Sequence, residues 1–211
     1  MQSRTLEESG RNLHSVPDAW GLNLGSGILE IGPGPGTSTD LLHARVARLT
    51  CVESDRRFAE KLRRRLDPHV CVRCEDATAM SLPDESFDGA VCFTMLHHVP
   101  SVVKQDCLLR EVARVLRPGG LFAGTDSLYS RSFRLLHLFD TMVVVDPGTF
   151  AARLKAAGFG EIHVDVMEPY AFRFRARKSI AIASEAIFVA PYNDTGPAVE
   201  NSSDRPAVVA P

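Results

Sequence analysis

The sequence predicts a single α/β domain built on a mostly parallel sheet, with helices on both faces and an antiparallel pair at one edge. Three observations carry this. Between about residues 27 and 177, short β-rich runs alternate with helix-length amphipathic stretches, the pattern of strands joined by crossover helices. The first run breaks at a glycine cluster before a helical pattern begins. The last two runs follow one another without a helix between them, which makes an edge hairpin. With 211 residues, 45% hydrophobic and 24% charged, the chain suits one domain with a sizeable core.

The elements follow in order. Ile28–Ile31 is the first strand, stopped by Gly32. A helix runs from Thr37 to about Arg45, and Arg48–Val52 is the second strand. Phe58, Leu62 and Leu66 recur every four residues, which predicts a helix that buries all three. Val70–Cys74 and Phe87–Phe93 are the third and fourth strands, with Leu82-Pro83-Asp84 ahead of the fourth. From Ser101 to Leu116 a helix turns Leu108, Leu109, Val112, Val115 and Leu116 inward. Arg117-Pro118-Gly119-Gly120 ends it, since proline cannot continue a helix and glycine tolerates a left-handed exit. Leu121–Thr125 is the fifth strand, and Thr149–Ala157 is a helix closed by Gly158. Ile162, Val164 and Val166 alternate with polar residues, as Phe172, Phe174 and Ala176 do with arginines; both read as half-exposed strands. Residues 1–26 form a polar N-terminal segment with Trp20 as its only large anchor, and 27–190 form the domain. Within it, 178–190 fit helix or strand equally. Residues 191–211 are rich in Pro, Asn, Asp and Ser and read as a disordered tail.

Charge and cysteine usage exclude several classes. A formal charge of −2 provides no basic field for a polyanion, so neither nucleic acid nor an anionic membrane surface is expected as a partner. The N-terminus lacks the apolar core of a secretory signal, and no apolar run approaches the ~18–20 residues of a membrane span. Five cysteines, with Cys51 and Cys92 inside apolar stretches, fit a reduced, cytoplasmic setting. Cys71 and Cys74 have the spacing of half a zinc site, but two further ligands at suitable spacing are missing, so no metal is expected. The basic run from Arg56 to Arg65 reads as the solvated face of a helix. Arg173, Arg175 and Arg177 form a one-sided stripe that fits edge protection or contact with an anionic substrate.

The informative segment is Ile28-Leu29-Glu30-Ile31-Gly32-Pro33-Gly34-Pro35-Gly36-Thr37. A glycine turn between strand and helix lets a ligand approach the backbone, and the helix start behind it offers N–H groups. A dinucleotide fingerprint would place its third glycine where Thr37 stands, and a Walker loop would need Gly-Lys-Ser/Thr; neither is present. Glu53 closes the second strand, where a carboxylate can accept from vicinal ribose hydroxyls.

Five segments in order, LEIGPGPGT, VESD, EDATAMSLPDESFD, FTMLHHV and LLREVARVLRPGG, make residues 27–177 resemble the class I S-adenosylmethionine-dependent methyltransferases, especially those acting on small molecules. The resemblance implies a Rossmann-like fold with a seven-stranded, mostly parallel sheet and S-adenosylmethionine as cofactor. It also implies that Gly32, Gly34 and Gly36 wrap the methionine part, with Glu30 supporting the loop and the cofactor's amino group. Glu53 would take the ribose hydroxyls, Asp76 the adenine amino group, Ala77 the ring through its N–H, and main-chain groups near Thr94 the methionine end. Asp88 would be structural. The cofactor carries no phosphate, and the first Lys or Arg after the glycines is Arg45, as such a ligand allows.

Methyl transfer from a sulfonium needs chiefly in-line positioning in a site that excludes water. A general base helps where the acceptor must lose a proton. His97 and His98, just past the fourth strand, are the candidates, with His98 preferred; Tyr129 and Asp126 are weaker alternatives. Thr94-Met95-Leu96-His97 lacks the Asn/Asp-Pro-Pro-aromatic signature of base-amino methylation, and Cys92 follows Val91 where cytosine-C5 enzymes carry Pro-Cys. Ser127–Asp146, with Leu128, Phe133, Leu135, Phe139 and Met142, reads as a substrate-covering element or as core, and an apolar cover would suit a hydrophobic or aromatic small molecule. The short N-terminal segment leaves room for a homodimer to complete the pocket. Two rivals remain from other classes: a nicotinamide-dependent oxidoreductase, against which Thr37 speaks, and a non-catalytic S-adenosylmethionine-binding protein.

Overall fold

The computed structural model describes residues 25–66, 68–129 and 142–180. The segment up to residue 24, the apolar stretch 130–141 and the tail 191–211 lie outside the described residues. No described helix is long and apolar enough to cross a membrane.

Seven strands form one sheet: β1 (Gly27–Ile31), β2 (Arg48–Glu53), β3 (Val70–Cys74), β4 (Phe87–Phe93), β5 (Leu116–Ser127), β6 (Phe159–Met167) and β7 (Ala171–Lys178). Their spatial order is β3-β2-β1-β4-β5-β7-β6, with β1 to β5 parallel to one another and β7 antiparallel to both β5 and β6. The α-helices among the described residues are α1 (Thr37–His43), α2 (Arg56–Leu66), α3 (Val102–Val115) and α4 (Pro147–Ala156). β1 is buried along its whole length, as a central strand covered on both faces must be.

The pleat of β1 sorts the helices. Ile28 packs with Leu42 of α1 and with Ala59, Leu62 and Leu66 of α2. Leu29 and Ile31 point the other way, to Leu108, Leu109 and Val112 of α3 and to Phe150 and Leu154 of α4. On this second face Phe150 meets Phe172 and Phe174 edge-on, with centroids 5.6 and 5.0 Å apart, and Phe122 meets Phe174 at 4.9 Å. Ser101 caps α3 by accepting from the Lys104 N–H at 3.2 Å. Asp146 caps α4 by accepting from Gly148 at 2.9 Å, with Pro147 in the first turn, where its missing N–H costs nothing.

Three expectations need correction. Phe58 is not on the buried face of α2: it is 37% exposed, and Ala59 takes its place beside Leu62 and Leu66. The four-residue repeat was matched equally well by an apolar wall facing ligand space. β5 begins at Leu116 rather than Leu121, because Leu116 pairs with Phe87 before Arg117–Gly120 leave the ladder and Leu121 resumes it opposite Gly89. Lys178 Nζ donates to the Leu116 carbonyl at 2.7 Å and Arg177 Nη1 to that of Gly119 at 2.9 Å, so side chains satisfy acceptors around the excursion. The arginine stripe lies on β7, which is paired on both sides; it cannot guard an edge. Arg173 pairs with Asp165 and Arg177 with Glu161 across the hairpin.

One buried acid ties β1 to α1. Glu30 is 1% exposed; Ser38 Oγ of α1 donates to its Oε1, and Cys51 Sγ of β2 donates to its Oε2 at 3.4 Å. Burial nonetheless raises the Glu30 carboxyl above its ordinary value, and the same burial pushes the Cys51 thiol up. A carboxyl raised on folding stabilises most below its unfolded value, and that contribution is lost as pH rises toward the folded one. Urea unfolding of the wild type and Glu30→Gln across pH 4–8 should therefore show the wild type losing ground to the variant as pH rises. A pH-independent difference would contradict this. Phe174→Ala should cost about 3–5 kcal/mol of unfolding free energy by the same assay.

Candidate active site

Parallel register brings the carboxyl ends of β1 to β4 level: Ile31 lies beside both Val52 and Cys92, and Glu53 beside Cys74. The loops that leave these ends enclose a cavity of about 560 Å³, within the usual range for small-molecule sites. Gly32 to Pro35 form one wall, Glu53, Asp55 and Phe58 the next, and Glu75 to Thr78 a third. Thr94, Met95, His98, Val99 and Pro100 follow β4, with Lys104 and Leu108 of α3 closing the ring.

The glycine loop is wired internally. The Gly32 N–H donates to Val52 O at 2.9 Å, the Gly34 N–H to Glu53 Oε2 at 2.8 Å and the Gly36 N–H to Pro33 O at 3.0 Å. Pro33 and Pro35 have no N–H. Every donor from Gly32 to Gly36 is thus already used, so this loop is not a cradle of N–H groups for a pyrophosphate. A ligand that brings its own hydroxyl and ammonium donors fits better. Gly34 has φ +54°, and a Cβ there would meet nothing within 4 Å; the loop opens onto free space at that point. Gly32 has φ +61°, and a Cβ would come 2.3 Å from Met95 Cγ, so this glycine lets the loop after β4 close against the loop after β1.

Glu53 is 6% exposed, and its two oxygens accept from Gly34 N and Asp55 N, both at 2.8 Å. Each oxygen keeps a second lone pair, which suits two neighbouring hydroxyls. Asp76 borders the cavity on the loop after β3, the strand next to β2. The Thr78 N–H donates to its Oδ1 at 2.8 Å and holds its carboxyl below the ordinary value, while Lys104 Nζ stands 3.9 Å from its Oδ2. It is therefore ionised near neutrality. Ala77 is beside it. Thr94 has φ +52°, a strained conformation for a non-glycine residue; its N–H donates to Thr125 O at 2.7 Å.

Of the residues expected here, Gly32, Gly34, Glu53, Asp76, Ala77, Thr94 and His98 line the cavity. Gly36, Glu30 and His97 do not. Gly36 has φ +90° and lies against α2, where a Cβ would come within 2.4 Å of Leu62 and Arg65. Glu30 supports the loop from behind, with both oxygens engaged by Ser38 and Cys51. His97 is 1% exposed and its Nδ1 faces Asp126 Oδ1 at 2.5 Å. Tyr129 is also off the cavity, 56% exposed. Asp88 accepts from Ser26 and Gly27 at the start of β1, and the Gly27 N–H above all holds it at about 2. It is structural.

Sequence reading missed three contributors. Phe58 and Lys104 border the cavity. Arg65, from the run read as solvated, reaches the loop: its Nη1 lies 2.5 Å from Asp40 Oδ2 and its Nη2 3.4 Å from both Pro35 O and Gly36 O. Its place at the inner end of α2, one residue before the buried Leu66, was the available signal.

Residues 29–124 match the family model described as Methyltransferase domain. The chain is 28% identical over 184 residues to 27-O-demethylrifamycin SV methyltransferase of Amycolatopsis mediterranei, covering 82% of this chain and 61% of that protein. It is 33% identical over 150 residues to trans-aconitate 2-methyltransferase of Methylobacterium nodulans, covering 68% and 53%. Other relatives are named for methylation of phosphatidylethanolamine, ribosomal RNA and thiols. The chain thus spans little more than half the length of the first two relatives. Among solved structures, phosphoethanolamine N-methyltransferase 2 of Haemonchus contortus with S-adenosyl-L-methionine superposes with a TM-score of 0.68 at 16% identity, over 81% of this chain and 53% of that one. The glycine loop without spare donors, the two acids bordering the cavity and these likenesses agree: residues 29–124 form a methyltransferase domain of the class I, S-adenosylmethionine-dependent kind.

Proposed function

We propose that this protein transfers a methyl group from S-adenosylmethionine to a small molecule with an apolar or aromatic surface. The observation that supports it most is that one cavity gathers the glycine loop, Glu53, Asp76 and His98 at the carboxyl ends of β1 to β4. The cofactor, when bound, supplies a methyl group on a sulfonium, an electrophile that needs no metal.

The chain's own residues do the rest. Glu53 accepts from the ribose hydroxyls with the lone pairs that Gly34 and Asp55 leave. Asp76 accepts from the adenine amino group, and the Ala77 N–H donates to the ring. Phe58, half-exposed at the start of α2, offers an apolar wall to the adenosine end. Gly34 lets backbone approach the methionine part, and Thr94 presents main chain there. His98 takes the acceptor's proton where the acceptor is a hydroxyl or carbon acid. Val99, Met95 and Leu108 favour an acceptor with apolar surface. Among the described residues, four acids (Glu53, Asp55, Glu75, Asp76) against Lys104 as the sole Lys or Arg lining the cavity make it a poor seat for a polyanionic acceptor such as nucleic acid.

Calorimetry with S-adenosylhomocysteine should show Glu53→Ala weakening affinity about tenfold to hundredfold, the scale of lost hydrogen bonds to a charged group. Unaltered affinity would remove the ribose role. With an acceptor found by screening metabolites against methyl-labelled cofactor, His98→Ala should lower kcat by about 10²–10⁴ and leave cofactor affinity within about threefold. Wild-type turnover would remove the general-base role.

A further inference from the structure

The His98 wall of the cavity is secured from behind by a buried acid. Asp126, near the end of β5, is 1% exposed and does not border the cavity. Its Oδ2 accepts from the His97 backbone N–H at 3.1 Å. Its Oδ1 accepts from the Ser127 N–H at 2.6 Å and faces His97 Nδ1 at 2.5 Å. A carboxylate buried this deeply is tolerated only when its oxygens are satisfied, and here the partners belong to two segments: its own strand end and the turn Leu96–His98. Two amides already donate to the carboxylate, and the Oδ1–Nδ1 contact needs one shared hydrogen, which an imidazole N–H at Nδ1 supplies.

The turn is fixed on its other side too. Gln105, 1% exposed, donates through Nε2 to Leu96 O at 3.0 Å and to Val143 O at 2.7 Å, and the Val143 N–H donates to His97 O at 2.8 Å. The His97 and His98 rings touch, with centroids 4.1 Å apart and planes tilted by 41°. The inner imidazole is therefore both the part that Asp126 grips and the surface against which the outer imidazole rests. A packing role would require volume at this site, whereas two oxygens aimed at a backbone N–H and a ring nitrogen define an orientation.

We propose that Asp126 is a positioning residue which, through His97, holds the Leu96–His98 turn so that the His98 imidazole faces the cavity. The proposal rests on the reading of His98 as the group nearest the reacting atoms.

The test needs no methyl acceptor. Imidazole signals of ¹⁵N-labelled protein are followed by NMR while S-adenosylhomocysteine is added. In the wild type the His98 signals should shift on binding, and His97 should show a protonated Nδ1. Asp126→Asn should reduce the His98 shift at least about threefold while S-adenosylhomocysteine affinity stays within about threefold, because Glu53 and Asp76 are untouched. His97→Asn keeps a side-chain donor near Asp126 and should retain the His98 shift; His97→Leu fills the space without a donor and should lose it. These two variants carry the test if Asp126→Asn does not fold. A wild-type His98 shift in Asp126→Asn, or in His97→Leu, would overturn the positioning role. Binding without any His98 shift in the wild type would instead overturn the reading of His98 beneath it.

Discussion

The position of β1 between β2 and β4 governs the site. All three strands are parallel and in level register, so the chain leaving β1 turns to the face of α1 and the chain leaving β4 turns to the face of α3. The two loops separate at the carboxyl ends, and a gap opens between them at the switch point of the sheet. Each cavity residue is a consequence of that divergence. Gly32 must lack a side chain because Met95, coming back from the other loop, occupies the place a Cβ would take. Thr94 bears a left-handed φ because the β4 loop has to turn within one residue of the strand end.

Around this gap the domain concentrates buried polar groups that a core would otherwise exclude. Glu30, Glu53, Asp126 and Gln105 are each 6% exposed or less, and each is hydrogen-bonded to a segment distant in sequence. Such groups are costly unless satisfied, and here their partners are the loops that shape the cavity. Glu30 fixes the start of α1 below the glycine turn, Glu53 fixes the turn itself, and Asp126 with Gln105 fixes the wall after β4. The apolar layers provide stability, while these four residues set where the loops stand.

How much of this was legible in the sequence follows from range. The succession of strands and helices, the mostly parallel sheet and its antiparallel edge pair came from local periodicity and from the resemblance, and they survive in the observed sheet. The boundaries that moved were those decided by pairing: Leu116 joins β5 because Phe87 lies opposite, which a reading of the Pro-Gly-Gly run alone cannot show. Phe58 has the spacing of a core residue but borders the cavity, because its neighbour Ala59 takes the buried position in the first turn of α2. Arg65 looked solvated because its partners, Asp40 and the carbonyls of Pro35 and Gly36, lie 25 to 30 residues away.

The histidine doublet shows the same limit at its sharpest. His97 and His98 are identical and adjacent, yet one is sealed against Asp126 and the other borders the cavity. A 3₁₀ turn has about three residues per turn, so neighbours diverge by about 120° and cannot share an environment. Sequence fixes that divergence once the turn is known, but not which histidine goes inward; Asp126, contributed by β5, decides it. The acid that looked like a remote substitute for the histidines is thus what makes the two different.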